Sequence, residues 1–152
     1  MDGIHYSLSD LLRVMQRLRD PESGCPWDIR QDFHSIVPST LEECYELAQA
    51  IEDQDFDHIA EELGDVLFQV VFYAQLAREK NVFSFDDIVQ TLVEKLIRRH
   101  PHVFAQGEID GIVSSRSSVE DVRRHWEEIK QLERDEPPQS ELLADMPGAL
   151  PA

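Results

Sequence analysis

The feature that most constrains the fold is the segment from about Asp57 to Lys80, whose apolar residues recur with the period of an α-helix. Its second half is apolar on nearly every side, and such a helix is stable only where other elements cover it. No segment of the sequence alternates polar and apolar residues over the length of a strand, and no internal repeat is present. The sequence therefore predicts an all-α fold, a four- to five-helix bundle with this helix at its centre.

The remaining helices are predicted from the same apolar spacing, with serine or proline residues at their starts. They cover residues 7–20, 38–53, 84–100 and 118–134. In the helix over 38–53, one side is acidic and the other carries Leu41, Tyr45, Ala48 and Ile51. The irregular segment 21–37 is predicted to be a loop, which we expect Trp27 to anchor by packing.

The size of the chain, 152 residues, is that of one compact domain, which we predict over residues 1–135. Residues 136–152 hold four of the eight prolines. This composition is typical of an extended tail or linker, and we expect little contribution to the core from it.

The net charge of −17 restricts the partners of the chain. A field of this sign repels polyanions, so we expect neither nucleic acid nor an anionic membrane to bind. A phosphorylated small molecule stays possible where a divalent metal reverses the local charge. Cys25 and Cys44 form no CxxC pair, no secretory leader precedes them, and no apolar run approaches the ~20 residues that a bilayer requires. We therefore expect a cytoplasmic location.

Two pairs of carboxylates carry the strongest chemical signal in the sequence. Glu43 and Glu46 lie on one predicted helix, and Glu62 and Asp65 lie on the next. A spacing of three positions places both members of a pair on one helix face. If the two helices pack antiparallel, the four side chains converge. For the first pair alone a solvated acidic face is the simpler reading. The second pair, however, lies on a stripe that continues through residues expected to pack against another helix: Gln69, Phe72, Tyr73 and Leu76.

Like charges held together away from water require a countercharge, and a metal ion is the simplest one. Ligands that are all carboxylate oxygens select hard cations, Mg²⁺ first and Mn²⁺ second. Such a centre suits phosphate oxygens and an attacking water, so nucleotide hydrolysis is the natural chemistry. Glu42 and Glu61 adjoin the pairs and are candidates for a base or for groups that orient the metal ligands, although solvated neighbours are the simpler reading.

Candidates for substrate contact lie on the last two predicted helices. Lys95, Arg98 and Arg99 end the helix over 84–100, where they could contact phosphates. Cations are also favoured at any helix C-terminus, so this position alone does not decide their role. Trp126 and Lys130 lie four residues apart and could contact a base and a phosphate, while core packing explains Trp126 equally well.

These motifs resemble those of the MazG family of nucleoside triphosphate pyrophosphohydrolases. The family hallmark is Glu-Glu-x-x-Glu followed about a helix later by Glu-x-x-Asp, which is similar to Glu42-Glu-Cys-Tyr-Glu46 and Glu62-Leu-Gly-Asp65. The resemblance covers roughly residues 8–135, including Gly24-Cys-Pro-Trp-Asp28 and the segment from Glu94 to Phe104. It departs from the family at Gln31-Asp-Phe33, where relatives commonly read Gln-Thr-His.

The resemblance implies a helical fold in tight dimers or higher assemblies, dependence on Mg²⁺, and cleavage of nucleoside triphosphates to a monophosphate and pyrophosphate. It implies metal-ligand and catalytic roles for Glu43, Glu46, Glu62 and Asp65. It also implies nucleotide contacts for the segment from Lys95 to Arg99, for Trp126 and for Lys130. The segment 142–151 resembles the linker to a second MazG domain in longer relatives.

Two other functions are compatible with the sequence. A catalytically degenerate MazG domain would bind nucleotides or partners without turnover, although the retained acids argue against it. A purely structural helical dimerisation module would account for the apolar helix over 57–80 but would leave the paired acids unexplained.

Overall fold

The computed structural model describes residues 3–135, which contain six α-helices, one short 3₁₀ turn and no strand. The helices are α1 (Leu8–Leu18), α2 (Pro26–Ile29), α3 (Val37–Glu52), α4 (Phe56–Glu79), α5 (Phe85–Arg99) and α6 (Val119–Asp135). The all-α prediction is confirmed. Five of the helices fall on the segments that the sequence assigns, and α2 is a single turn within the predicted loop. None of the described helices is long and apolar enough to cross a membrane.

The chain divides into two compact units, with the boundary between Phe85 and Asp86. This boundary falls inside the single domain predicted over residues 1–135. The predicted tail, 136–152, lies outside the described residues.

The core of the first unit is built mainly by α4, as its apolar pattern predicts. Val71, Phe72 and Leu76 of this helix are buried together with Met15 of α1 and Ile36. Ser7 and Asp10 cap the start of α1 reciprocally, because the serine side chain accepts from the backbone N–H of Asp10 while the aspartate side chain accepts from that of Ser7. The cap fixes where α1 begins and so directs Met15 into the core.

The side of α3 that faces α4 differs from the apolar side that the sequence favours for burial. The partly or fully buried positions are Val37, Thr40, Glu43, Leu47 and Ala50. Leu41, Tyr45 and Ile51, on the apolar side, are exposed, with Tyr45 at 76%. Polar pairing explains the choice of face, because the Thr40 hydroxyl lies 2.8 Å from Gln69 Oε1 and 2.7 Å from the Tyr73 hydroxyl. Glu43 is thereby turned towards α4, while Glu42 and Glu46 stay exposed.

The loop between α1 and α3 is anchored by Arg19 rather than by Trp27. Trp27 is 73% exposed, so the expectation that it anchors the loop by packing is wrong. Arg19 Nη1 donates to the backbone carbonyls of residues 28, 29 and 31, while its Nε and Nη2 donate to Glu79 of α4. Gly24 is required nearby because an added Cβ would lie 2.4 Å from the carbonyl oxygen of Leu18. A buried guanidinium with many carbonyl partners holds the loop in place.

The second unit contains nearly all of α5 and the whole of α6. Ser118 accepts from the backbone N–H of Asp121 and so caps α6. Long side chains connect the two helices: Arg98 and Arg99 of α5 pair with Glu133 of α6. The His100 ring meets the Trp126 ring edge-on at 5.2 Å between centroids. Polar and aromatic contacts therefore join α5 to α6.

Candidate metal centre

The carboxylates of Glu43, Glu62 and Asp65 converge where α3 packs on α4. One oxygen from each residue lies within 4.8 Å of the others. The convergence follows from the short connection over residues 53–55, which makes the two helices antiparallel. Asp55 caps α4 by accepting from the backbone N–H of His58 and so fixes the start of the helix that carries Glu62. Three of the four predicted metal ligands are thus brought together.

The cluster holds its negative charge with few compensating contacts. Glu62 is only 6% exposed. Glu43 Oε2 and Glu62 Oε2 are both buried and have no hydrogen-bond partner among residues 3–135. Burial raises the pKa of Glu43, and the charges of Asp65, Glu46 and Glu62 raise it further. Buried acceptors without donors and a carboxylate among like charges are the features that a bound cation would relieve.

The remaining predicted acids lie at the edge of this cluster. Glu46 is exposed and lies outside the three-residue group, although it lies near enough to Glu43 to raise the pKa of that residue through charge and hydrogen bonding. Glu42 and Glu61 are exposed neighbours on the same two helices. Glu46 is therefore within reach of a shared ion only by a side-chain movement, and the other two have free access to water.

Sequence reasoning missed His58, which contacts the cluster directly. His58 Nε2 lies 2.9 Å from Glu62 Oε1, and half of the imidazole is exposed. The signal was present in the sequence, because a histidine four residues before a glutamate shares its helix face. The hydrogen bonds that join Thr40 to Gln69 and Tyr73 were missed as well. Thr40 lies one turn from Glu43 on α3, and Gln69 lies one turn from Asp65 on α4.

The predicted substrate contacts lie in the second unit, and most of them have partners within it. Arg98 Nε donates to Glu133 Oε1 at 2.7 Å, and Arg99 Nη2 donates to Glu133 Oε2 at 2.8 Å. The Arg99 guanidinium also lies 5.5 Å from the centre of the Trp126 ring. Lys130 pairs with Glu127 at 3.3 Å. Lys95 is half-buried and forms no salt bridge with any residue that the structure describes.

The segment that contains the acidic cluster is similar to a family of known proteins. Residues 31–104 match the MazG nucleotide pyrophosphohydrolase domain, a segment that includes α3, α4 and α5. The chain is 53% identical over 142 residues to the nucleoside triphosphate pyrophosphohydrolase of Escherichia coli strain K12, an alignment that covers 93% of this chain. The chain belongs to the MazG family. The matched segment of this MazG chain contains all four predicted metal ligands but neither Trp126 nor Lys130.

Other MazG proteins resemble the chain over similar lengths. It is 48% identical over 125 residues, 82% of its length, to the nucleoside triphosphate pyrophosphohydrolase/pyrophosphatase MazG of Thermotoga maritima. The chain spans about half the length of both relatives, 51% and 44% respectively. Among solved structures, a MazG-related protein from Thermotoga maritima aligns with a TM-score of 0.66 and 26% identity, covering 82% of this chain and 99% of that one.

Proposed function

We propose that this MazG chain hydrolyses (deoxy)nucleoside triphosphates to nucleoside monophosphate and pyrophosphate, a reaction that removes unwanted nucleotides from the cytoplasmic pool. The observation that carries the proposal is the convergence of three carboxylates from α3 and α4, two of which bury an oxygen that lacks a donor among residues 3–135. The names of the E. coli and Thermotoga maritima relatives support the same reaction.

Mg²⁺ is the proposed cofactor, with Mn²⁺ as a substitute. The donor set consists of carboxylate oxygens, which favour hard divalent cations over zinc. Glu43, Glu62 and Asp65 would hold the ion, and Glu46 would join them by turning its exposed side chain inward. When bound, the ion would neutralise phosphate charge and lower the pKa of a coordinated water. The buried orphan oxygens of Glu43 and Glu62 fit this role.

Residues around the proposed metal ligands have separate proposed roles in orienting a ligand, handling water and binding the nucleotide. Glu62 is held at Oε1 by His58, so that its second oxygen stays inside the cluster. Glu42 and Glu61, which are exposed beside the ligands, are the candidates for orienting water or accepting its proton. Lys95, Arg98, Arg99, Trp126 and Lys130 are proposed to contact the nucleotide. Cations suit the triphosphate, and the indole suits the base.

A homodimer is proposed to bury the apolar side of the two helices that build the cluster. Seven large apolar residues of α3 and α4 are exposed: Leu41, Tyr45, Ile51, Phe56, Leu63, Leu67 and Val70. Exposed apolar residues at this density are unusual on a monomer and mark an interaction surface. A second copy with the same surface would cover them symmetrically. Sedimentation of the wild type and of a Tyr45→Glu, Leu67→Glu variant tests this, since a monomeric wild type would reject the dimer.

The reaction is tested by measuring pyrophosphate release from a panel of canonical and modified triphosphates in Mg²⁺. Glu62→Gln and Glu46→Ala are compared with Glu52→Gln, which changes an exposed acid on α3 away from the cluster. We expect wild-type and Glu52→Gln rates to agree, and Glu62→Gln to lose about 100-fold or more. Equal rates in all four proteins would reject the assignment.

A metal titration separates binding from turnover. Calorimetry with Mn²⁺ should show a specific site in the wild type and in Glu52→Gln that Glu62→Gln removes. A protein that binds no metal specifically and releases no pyrophosphate would instead fit a domain without catalytic function.

A further inference from the structure

We propose that Glu133 is a positioning residue for Arg98: it holds Nε of that guanidinium group and leaves the two Nη atoms available for a substrate phosphate. The inference rests on the proposed function, because it concerns how a predicted phosphate contact is prepared. It names a residue of α6 to which neither the acidic motifs nor the predicted substrate contacts assign a role.

A single carboxylate serves two arginines in this cluster. Glu133 Oε1 accepts from Arg98 Nε at 2.7 Å, and Glu133 Oε2 accepts from Arg99 Nη2 at 2.8 Å and from Arg99 Nε at 3.3 Å. Both oxygens are therefore engaged, each mainly by a different guanidinium group. Charge-assisted hydrogen bonds of this length fix the direction of each planar group.

The two arginines differ in exposure and in the N–H donors that they leave available for a ligand. Arg99 is held on one edge by Glu133, lies 5.5 Å from the Trp126 ring centre, and has a side chain that is 22% exposed. Arg98 is 52% exposed and is held only through Nε. Within residues 3–135 its two Nη atoms have no hydrogen-bond partner. Arg98 therefore presents the free fork, which has the geometry that binds a phosphate through two hydrogen bonds.

Because Glu133 is charged, a charge effect and a positioning effect predict opposite changes in phosphate affinity when the carboxylate is removed. The two arginines lower the pKa of Glu133 to about 2, so the group is a carboxylate at every working pH. A carboxylate beside a phosphate site repels the ligand, and simple electrostatics predicts tighter phosphate binding when the charge is removed. Positioning predicts the opposite, because a long arginine side chain without its anchor must be ordered by the ligand itself.

The experiment measures the affinity for inorganic tripolyphosphate by calorimetry in Mg²⁺, together with KM and kcat for a triphosphate substrate. Glu133→Gln is compared with Glu128→Gln, which changes an exposed acid on the same helix. We expect Glu133→Gln to weaken tripolyphosphate binding about tenfold, the value of one charge-assisted hydrogen bond, and to raise KM similarly with kcat nearly unchanged. Glu128→Gln should match the wild type.

A double variant shows whether Glu133 acts through Arg98. In an Arg98→Ala background, Glu133→Gln should weaken binding no further, since its effect is already lost. Glu133→Asp keeps the charge on a shorter side chain; positioning predicts intermediate affinity, whereas a charge effect alone predicts wild-type affinity. This variant decides the question if Glu133→Gln fails to fold.

Three results overturn the inference: unchanged or tighter tripolyphosphate binding by Glu133→Gln, a full additional loss in the Arg98→Ala background, or no tripolyphosphate binding by the wild type. Pyrophosphate release by the wild type separates this failure from that of the proposed function. An active wild type with an unaffected Glu133→Gln variant rejects only the inference. An inactive wild type whose tripolyphosphate binding depends on Glu133 rejects only the proposed reaction.

Discussion

Glu43 and Glu133 are carboxylates on helices of the two different units, and their surroundings are opposite. Glu43 lies among Glu46, Glu62 and Asp65, which together with burial raise its pKa. Glu133 lies between two guanidinium groups that lower its pKa to about 2. The acidic cluster contains charge that the protein alone leaves uncompensated, while the Glu133 cluster is neutralised by its own neighbours.

The difference separates a site from a structural contact. A buried acid without a countercharge costs stability, and a fold retains it where an external cation restores the balance. An acid with two arginines stabilises the contact between α5 and α6, so only the unpaired nitrogens of that cluster are left for a ligand. The comparison therefore predicts that changes in the acidic cluster affect activity, whereas changes at Glu133 mainly affect stability and substrate affinity.

The largest expected effect comes from neutralising Glu43. Glu43→Gln should lower kcat about 100-fold or more, because a ligand of the proposed metal is lost. In metal-free buffer containing EDTA the same change should raise the midpoint of thermal unfolding, because it removes like-charge repulsion. Adding Mg²⁺ should reverse the order of stability, since only the wild type gains the full binding energy. Activity and thermal unfolding of the same preparations check both signs.

Glu52→Gln serves as the matched control because it removes one negative charge from α3 outside the cluster. It should leave kcat and the response to Mg²⁺ unchanged. If Glu43→Gln were less stable than the wild type in EDTA, the acidic cluster would not be a region of uncompensated charge and the contrast with Glu133 would fail.

A smaller effect, on stability, is expected from Glu133→Ala. Removing the carboxylate leaves two guanidinium groups without their shared partner, and the half-buried position of the cluster places the cost at about 1–2 kcal/mol. Urea unfolding in EDTA measures the difference, with Glu128→Ala as the control on α6. A Glu133→Ala protein as stable as the wild type would show that the salt bridges contribute no stability.

The pH dependence of stability should have opposite signs at the two sites. A raised pKa means that Glu43 contributes stability below its ordinary value of 4.5, and that this contribution is lost as the pH rises through the raised value. A lowered pKa means that Glu133 contributes above 4.5, and that this contribution is lost as the pH falls towards about 2.

Urea unfolding of the metal-free protein between pH 3 and pH 7 separates the two contributions. The stability advantage of Glu43→Gln over the wild type should grow as the pH rises above about 4.5, and the disadvantage of Glu133→Gln should shrink as the pH falls below it. Differences that are independent of pH for both variants would contradict the assigned environments.

Most of the fold could be predicted from the sequence because local signals agree with the tertiary structure. The apolar period over residues 57–80 identifies the central helix, and Ser7 and Ser118 mark helix starts by capping. The same spacing argument placed Glu43, Glu62 and Asp65 on faces that do converge. A pattern with period 3.6 fixes which residues share a helix face.

The side of α3 that packs on α4 could not be predicted, because α3 has two possible faces. The apolar face with Tyr45 is the obvious candidate for burial, yet the face with Thr40 and Glu43 is the one in contact. Arg19 and Glu133 were missed because their partners are distant in the chain. Arg19 pairs with Glu79, 60 residues away, and Glu133 pairs with Arg99, 34 residues away. Single-sequence patterns report neighbours along a helix and do not report such distant pairs.

The smallest expected effect concerns His58, which contacts the acidic cluster at Glu62. Its Nε2 lies 2.9 Å from Glu62 Oε1. A group that holds one oxygen of a ligand orients the other, and losing such a partner weakens metal binding by about 10-fold or more in well-buried sites. Because half of the His58 imidazole is exposed, we expect a smaller loss of metal affinity, a few-fold, for His58→Ala.

The direction in which His58→Ala changes Mn²⁺ affinity distinguishes two roles for the imidazole, both of which fit the same contact with Glu62. If the imidazole orients Glu62, His58→Ala should weaken Mn²⁺ binding in calorimetry, and His58→Gln, which retains an N–H donor, should recover part of the loss. If the imidazole instead takes the place of a cation, both variants should bind Mn²⁺ more tightly than the wild type. We expect the first result, because Glu62 Oε2 stays buried and free of donors from residues 3–135 while His58 occupies only Oε1.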